Sequence, residues 1–292
     1  MINNKIFVLG TNGMAGHIIF NYLKTKLNNF ELISLARKHN FYLSDFELDI
    51  QDLDNLETLI LENKPHTIIN CIGILNKNAE DNPADSILIN SYFPHFLEKV
   101  TEQLQTKIIH LSTDCVFSGL KGNYKENDFK DATGFYALTK SLGEINNNKD
   151  LTIRTSIIGP DLNPNGIGLF NWYTKQTGIV KGYKNAIWTG VTTLELAKFI
   201  QKKIDYDLTG IIHLVNNTCI SKYDLICLFN DVFSFKLKVE PYEDYNVDKS
   251  LINTRIDLEY DIKSYLDMLI EMKDWIYSNQ NIYNHYKNIV RN

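Results

Sequence analysis

Cysteine is scarce in this chain, with four in 292 residues. Cys71, Cys115, Cys219 and Cys227 lie far apart, with no Cys-x-x-Cys and no matching histidine spacing, which argues against a disulfide framework and a structural zinc site and leaves them as reduced thiols. The seven histidines show no ligand spacing either, so no metal is expected. No apolar run approaches the roughly 18 residues that span a bilayer. The run from Ile6 to Leu9 enters Gly10 directly, too short for the apolar region of a secretion signal, and the expected location is cytoplasmic. A Lys/Arg cluster is also missing. With 30 basic and 35 acidic side chains giving a net charge of −5, neither nucleic acid nor a membrane is an expected partner. There is no internal repeat and no low-complexity linker.

What is present is a large apolar fraction, 44% hydrophobic against 22% charged, enough for a sizeable core in about two domains. Short apolar runs (Lys5 to Leu9, Glu31 to Leu35, Thr67 to Cys71, Lys107 to Leu111, Leu151 to Ile158) read as buried strands. Between them, Met14 to Leu27, Asp52 to Glu62, Asp85 to Gln103 and Phe135 to Ile145 carry the three-and-four spacing of helices. This predicts an α/β fold, a doubly wound parallel sheet with a smaller C-terminal region. We expect a nucleotide-binding domain over 1–158 and a substrate-binding region over 159–292, with about 186–216 returning to the first. Helices are expected at Thr193 to Ile204, Lys222 to Phe233 and Tyr265 to Tyr277, and a strand at Ile211 to Val215.

Lys5 to Gly16 reads KIFVLGTNGMAG, a strand that breaks at Gly10 and restarts as a helix near Met14. Glycines at 10, 13 and 16 permit a tight turn and close approach of backbone N–H groups to a pyrophosphate, with Asn12, Met14 and Ala15 completing the turn. About 20 positions on, where an acidic residue would accept from the ribose of NAD, stand Arg37 and Lys38. Cations there suit the 2′-phosphate of NADP; a solvated loop end is the alternative. Asp49 and Ile50, after the third strand, read either as adenine contacts or as the start of the next helix.

Tyr136 and Lys140 form a Tyr-x-x-x-Lys on one helix face. A nearby cation lowers the pKa of a phenol, ordinarily ~10, so Tyr136 is expected to protonate a carbonyl oxygen as hydride reaches its carbon, with Lys140 also holding the nicotinamide ribose. The strand ending in Ser112-Thr113-Asp114 delivers hydroxyls to a carboxyl edge, where one can stabilise developing charge. His110 is expected to be a satisfied strand residue.

With these residues in place, the sequence resembles the extended short-chain dehydrogenase/reductases and, within them, the dTDP-4-dehydrorhamnose reductase family. The matching stretches are GTNGMAG, INCIG at 69–73, Asn90, HLSTDCVFSG at 110–119, YALTKSLGE at 136–144 and IRTSIIG at 153–159. The resemblance implies an NADPH-dependent reductase acting on the C4 keto group of a UDP- or dTDP-linked 4-keto-6-deoxyhexose, with or without a 2-acetamido group. It implies Thr113 as hydroxyl partner, Tyr136 as proton donor and Lys140 as its activator. It implies that Cys71, Ile72, Gly73, Asn90 and Ser112 shape the cofactor site and that Ile74, Thr113, Asp114 and Cys115 face the substrate. A homodimer is expected by analogy. Sugar 4,6-dehydratases carry Asp-Glu after the threonine; here Cys115 follows Asp114, which speaks against dehydration.

Cys115 stands where epimerase/reductases of the GDP-L-fucose synthase type have an acid/base cysteine, which implies C3 or C5 epimerisation before reduction; an inert packing thiol is the alternative. Their histidine partner has no counterpart between Pro160 and Lys175. Trp188 and Arg255 are expected to cover the sugar nucleotide, stacking on the base and pairing the diphosphate; a core ring and a surface ion pair are the alternatives. Arg154 is a weaker candidate of the same kind. A rival reading is a non-catalytic regulatory subunit, since the same fold family includes the regulatory partner of methionine adenosyltransferase.

Overall fold

The computed structural model describes residues 4–38, 41, 43–216 and 218–286. Seven strands form one parallel sheet: β1 (Lys5–Leu9), β2 (Glu31–Ala36), β3 (Phe46–Glu47), β4 (Thr67–Asn70), β5 (Lys107–Thr113), β6 (Leu151–Thr155) and β7 (Gly210–His213). Their order is β7-β6-β5-β4-β1-β2-β3. Successive residues of β1 serve opposite faces, so Ile6 and Val8 join one apolar cluster while Phe7 and Leu9 join another. Both faces are therefore buried, as a sheet crossed by helices requires.

On the first face pack α1 (Gly16–Lys26), α5 (Thr193–Lys203) and α7 (Tyr265–Ser278); on the second, α2 (Leu53–Asn63) and α3 (Phe93–Val100). Helix starts follow local capping chemistry: Asp52, Thr192 and Ser264 accept from the backbone N–H three residues on. α4 (Phe135–Leu142) and α6 (Lys222–Val232) complete the helices used below, and Ser221 caps α6 the same way. Among the described residues, no helix is long and apolar enough to cross a membrane.

Two elements differ from the sequence expectation. The helix expected over Asp85 to Gln103 is broken by a wider π turn at Ile87–Tyr92. Pro94 carries no N–H for the carbonyl of Asn90, and the extra residue accommodates the missing bond. The strand expected from Leu151 to Ile158 divides at Ser156: β6 stays in the sheet, while Ile157–Ile158 pairs with Val191–Thr192.

Beyond the main sheet, Ile179–Tyr183 pairs with Lys238–Tyr242, and Ala186–Trp188 pairs with Ile220–Ser221 and Val247–Asp248. These short pairs come from distant parts of the chain. With α6 they form the walls that stand beyond the carboxyl end of β5.

Candidate active site

The chain runs outward from β1 to β3 and then crosses to β4, so the topological switch lies between β1 and β4, the place where open α/β sheets bind ligands. A cavity of about 280 Å³ occupies it, lined by Gly10, Gly13, Arg37, Asp49, Ile50 and the 71–74 segment among others. Gly10 has φ +85°, which glycine alone adopts freely, and a Cβ on Gly16 would stand 2.2 Å from the Gly10 carbonyl oxygen. The turn is thus as tight as backbone allows. Asn12 spans the loop after β2, donating to the Lys38 carbonyl at 3.0 Å and accepting from Phe41 N–H. Asp52, not Asp49, caps α2, and the Asp49 carboxylate accepts from Gln51 N–H at the cavity's edge.

The opposite wall is held by Asn90 of the π turn. Its side chain accepts from Ile74 N–H at 2.8 Å, donates to the Ile74 carbonyl at 2.9 Å and reaches Thr139 Oγ1 on α4 at 3.2 Å. Asn90 therefore acts by fixing the 71–74 segment. Met14, Ala15 and Gly16 stand behind the turn: Ala15 packs in the core, and the Met14 sulfur lies against Gly168.

Thr113, Tyr136 and Lys140 converge at the carboxyl end of β5. Tyr136 lies within electrostatic reach of Thr113, Cys115 and Asp114, and Thr113 Oγ1 donates to Asp114 Oδ1 and accepts from Cys115 N–H, both at 3.1 Å. Lys140 Nζ donates to the Leu111 carbonyl at 2.7 Å and lies 3.4 Å from His110 Nε2; a Cβ on Gly73 would stand 4.0 Å away. Burial lowers the Lys140 pKa to about 8, against the pull of Glu144 and Cys71. Burial holds His110 well below its usual value, so it is neutral, and pushes the Cys71 thiol up to about 12.

A second cavity, about 720 Å³, opens on the other side of this group. Asp114 and Cys115 line its inner end, with Trp188 and Lys222 close by and Trp172, Tyr183 and Tyr245 farther along the chain. Burial raises the Asp114 pKa, offset in part by Lys222 and Lys249. Burial and the neighbouring Asp114 push Cys115 up to about 11. Trp188 is 2% exposed, and its indole N–H has no acceptor among the described residues.

Several sequence expectations are corrected. Tyr136 is not depressed: burial raises its pKa, Cys115 and Asp114 add to the rise, and only the nearby Thr113 hydroxyl opposes it. The Lys140 ammonium is directed at Leu111 instead. Ser112 stands one residue out of phase with Thr113, so its hydroxyl donates to Glu144 Oε1 at 2.7 Å, and it does not line the first cavity. Ile74 lines the first cavity, not the second. Arg255 lies at the amino end of β7, donating to the Thr209 carbonyl and pairing with Asp257, at the opposite edge of the sheet from both cavities. Arg154 is a structural ion pair, bidentate to Glu144 at 2.7 and 2.8 Å.

Sequence reasoning missed the lysines of the second cavity: Lys181, Lys222 and Lys249. The Ser221-x-x-Asp224 cap marks where α6 begins, and so places Lys222 in its first turn. Which way that turn faces depends on the long-range pairing of Ile220–Ser221 with Ala186–Trp188. Among the described residues, no three His, Cys, Asp or Glu side chains are grouped to hold a metal.

Residues 4–250 match the family described as RmlD substrate binding domain. The dTDP-4-dehydrorhamnose reductase of Aggregatibacter actinomycetemcomitans is 26% identical over 247 residues, covering 80% of this chain and 81% of the relative. The methionine adenosyltransferase 2 subunit beta of Xenopus laevis is 24% identical, covering 80% and 73%. Among solved structures, a Bacillus anthracis dTDP-4-dehydrorhamnose reductase in complex with NADP superposes with a TM-score of 0.78 at 19% identity, over 93% of this chain and 99% of that one.

Proposed function

Because this chain belongs to the RmlD substrate binding domain family, we propose that it is an NADPH-dependent reductase of the C4 keto group of a nucleoside-diphosphate 4-keto-6-deoxyhexose, dTDP- or UDP-linked, serving deoxysugar synthesis. The observation that carries this is the position of Thr113, Tyr136 and Lys140 between a glycine-turn cavity and a second cavity large enough for a sugar nucleotide.

The first cavity fits the cofactor. Its turn is closed by glycines whose missing side chains let a pyrophosphate approach the backbone and the start of α1, and Arg37 stands where a 2′-phosphate would end. When bound, NADPH supplies the hydride. Tyr136, kept protonated by its raised pKa, gives its phenolic proton to the oxygen that was the carbonyl. The Thr113 hydroxyl, held in place by Cys115 N–H, turns its proton from Asp114 Oδ1 to the same oxygen as charge builds. Lys140, held by the Leu111 carbonyl and His110 and close to Gly73, would hold the nicotinamide ribose.

A preceding epimerisation would ask Cys115 for a thiolate, and a pKa of about 11 keeps it a thiol at neutral pH, so reduction alone is the reading we support. The match to methionine adenosyltransferase 2 subunit beta favours a second reading, a companion subunit without turnover. The deciding experiment offers UDP- and dTDP-4-keto-6-deoxyglucose, and the 2-acetamido UDP analogue, and follows loss of NADPH absorbance. Oxidation with any of them, abolished in Tyr136→Phe, establishes the reductase. NADPH binding with no oxidation in any case rejects it in favour of the companion subunit.

A further inference from the structure

Lys222 opens α6, and its side chain lines the second cavity. Its ammonium stands over the Trp188 ring, 4.7 Å from the centroid, within electrostatic reach of Asp114 and Cys115. It forms no hydrogen bond and no ion pair with any described residue. An ammonium carries three donors, and on a half-buried side chain they are available to a ligand that displaces the cavity's solvent. Lys222 and Asp114 line the same cavity, and the Asp114 carboxylate is an acceptor immediately following Thr113 in the chain.

A cation, a carboxyl group and an aromatic ring side by side match the chemistry of a sugar, whose hydroxyls both donate and accept and whose C–H faces pack on rings. A phosphate would be repelled by Asp114. Of the other lysines of the cavity, Lys181 stands over Tyr242 at 4.9 Å, while Lys249, after Val247–Asp248, is also within electrostatic reach of Asp114 and Cys115 but, unlike Lys222, does not stand over the Trp188 ring. Building on the reductase reading, we propose that Lys222, with Asp114 beside it, binds a hydroxyl of the substrate's hexose and selects for sugars that carry it. Burial lowers the Lys222 pKa to about 8, against the pull of Asp114 and Cys115, so the donor is lost in mildly alkaline solution.

The test titrates the full chain with UDP- and dTDP-linked 6-deoxyhexoses, with bare UDP and dTDP, and with NADPH. Lys222→Met keeps the length and removes the charge; Lys222→Arg keeps the charge. We expect Lys222→Met to weaken the nucleotide sugar about ten- to hundredfold, the range for a hydrogen bond to a charged group. Bare nucleotide and NADPH should bind as in the wild type, and Lys222→Arg should recover part of the loss. Wild-type affinity for the nucleotide sugar should fall as the pH passes through about 8, a fall absent in Lys222→Met. Unchanged nucleotide-sugar binding in Lys222→Met overturns the proposal, as does an equal loss for the bare nucleotide, which would make the ligand a phosphate. Should Lys222→Met fail to bind NADPH, and so be misfolded, a flat wild-type profile through that pH overturns the proposal by itself. A wild type that binds NADPH but no nucleotide sugar overturns the reductase reading and this one with it, an outcome distinct from the failure of Lys222 alone.

Discussion

The carbonyl oxygen of Asn90 lies 1.9 Å from where a Cβ on Gly143 would stand. The end of α4 therefore rests directly on the π turn, and the same Asn90 holds both backbone polar groups of Ile74. The wall of the cofactor cavity and the helix bearing Tyr136 and Lys140 are joined through one residue. Gly143→Ala must push these elements apart, and we expect a stability loss of about 1–3 kcal/mol from overpacking. NADPH affinity should fall as well. Urea unfolding and a cofactor titration check both; a variant as stable as the wild type would show that the contact gives way freely.

Tyr136→Phe should lower turnover about 10²–10⁴-fold, the usual worth of a positioned proton donor, with NADPH affinity unchanged. Since Lys140 has a pKa of about 8, the wild-type rate should decline as the pH rises through that value and the ammonium is lost. Lys140→Met should be slow throughout and lack that decline. Initial rates across the pH range provide the measurement.

Arg37 lines the first cavity and is exposed there. Arg37→Ser should weaken NADPH about tenfold or more, as expected for a lost charge-assisted hydrogen bond to phosphate, and leave NADH nearly unaffected. Parallel titrations with the two cofactors test this. Equal loss for both would assign Arg37 to the loop's structure instead.

His17 is fully buried, with Nδ1–H donating to the Gly13 carbonyl at 2.8 Å and Nε2 accepting from the Tyr283 hydroxyl at 2.7 Å. Burial lowers its pKa from 6.5 to about 4. Above 6.5 the ring is neutral in both folded and unfolded chains and contributes no pH dependence. As the pH falls from there toward 4, only the unfolded chain takes up the proton, so stability is lost across that window. The total is about 3 kcal/mol. His17→Gln should show a shallower slope between pH 6.5 and 4 in urea unfolding, and a slope equal to the wild type's would remove His17 as the cause.

Much of the candidate site's layout was legible because it is local. The Lys5 to Gly16 turn, the four-residue spacing of Tyr136 and Lys140, and Thr113 at a strand end each lie within one stretch of chain. What failed was orientation and environment. Ser112 and Thr113 could not be told apart without knowing which face of β5 meets Glu144. The destination of Arg255 was set by residues near 210, more than forty positions away. Burial, which dominates the pKa of Tyr136, leaves no mark on local sequence. The second cavity is assembled from strand pairs between distant segments, and so Lys222 was invisible until those pairings were known.

The bond between His17 and Tyr283 also orders events in time. The two residues are separated by 266 positions, so a growing chain presents the helix after the glycine turn long before the residue that completes its packing has been made. Trp275, which donates to the same Tyr283 oxygen, arrives almost as late. During synthesis Gly16–Lys26 therefore waits on residue 283 for one of its own buried contacts, and a ribosome stalled before that residue holds a chain in which this helix is still unfinished.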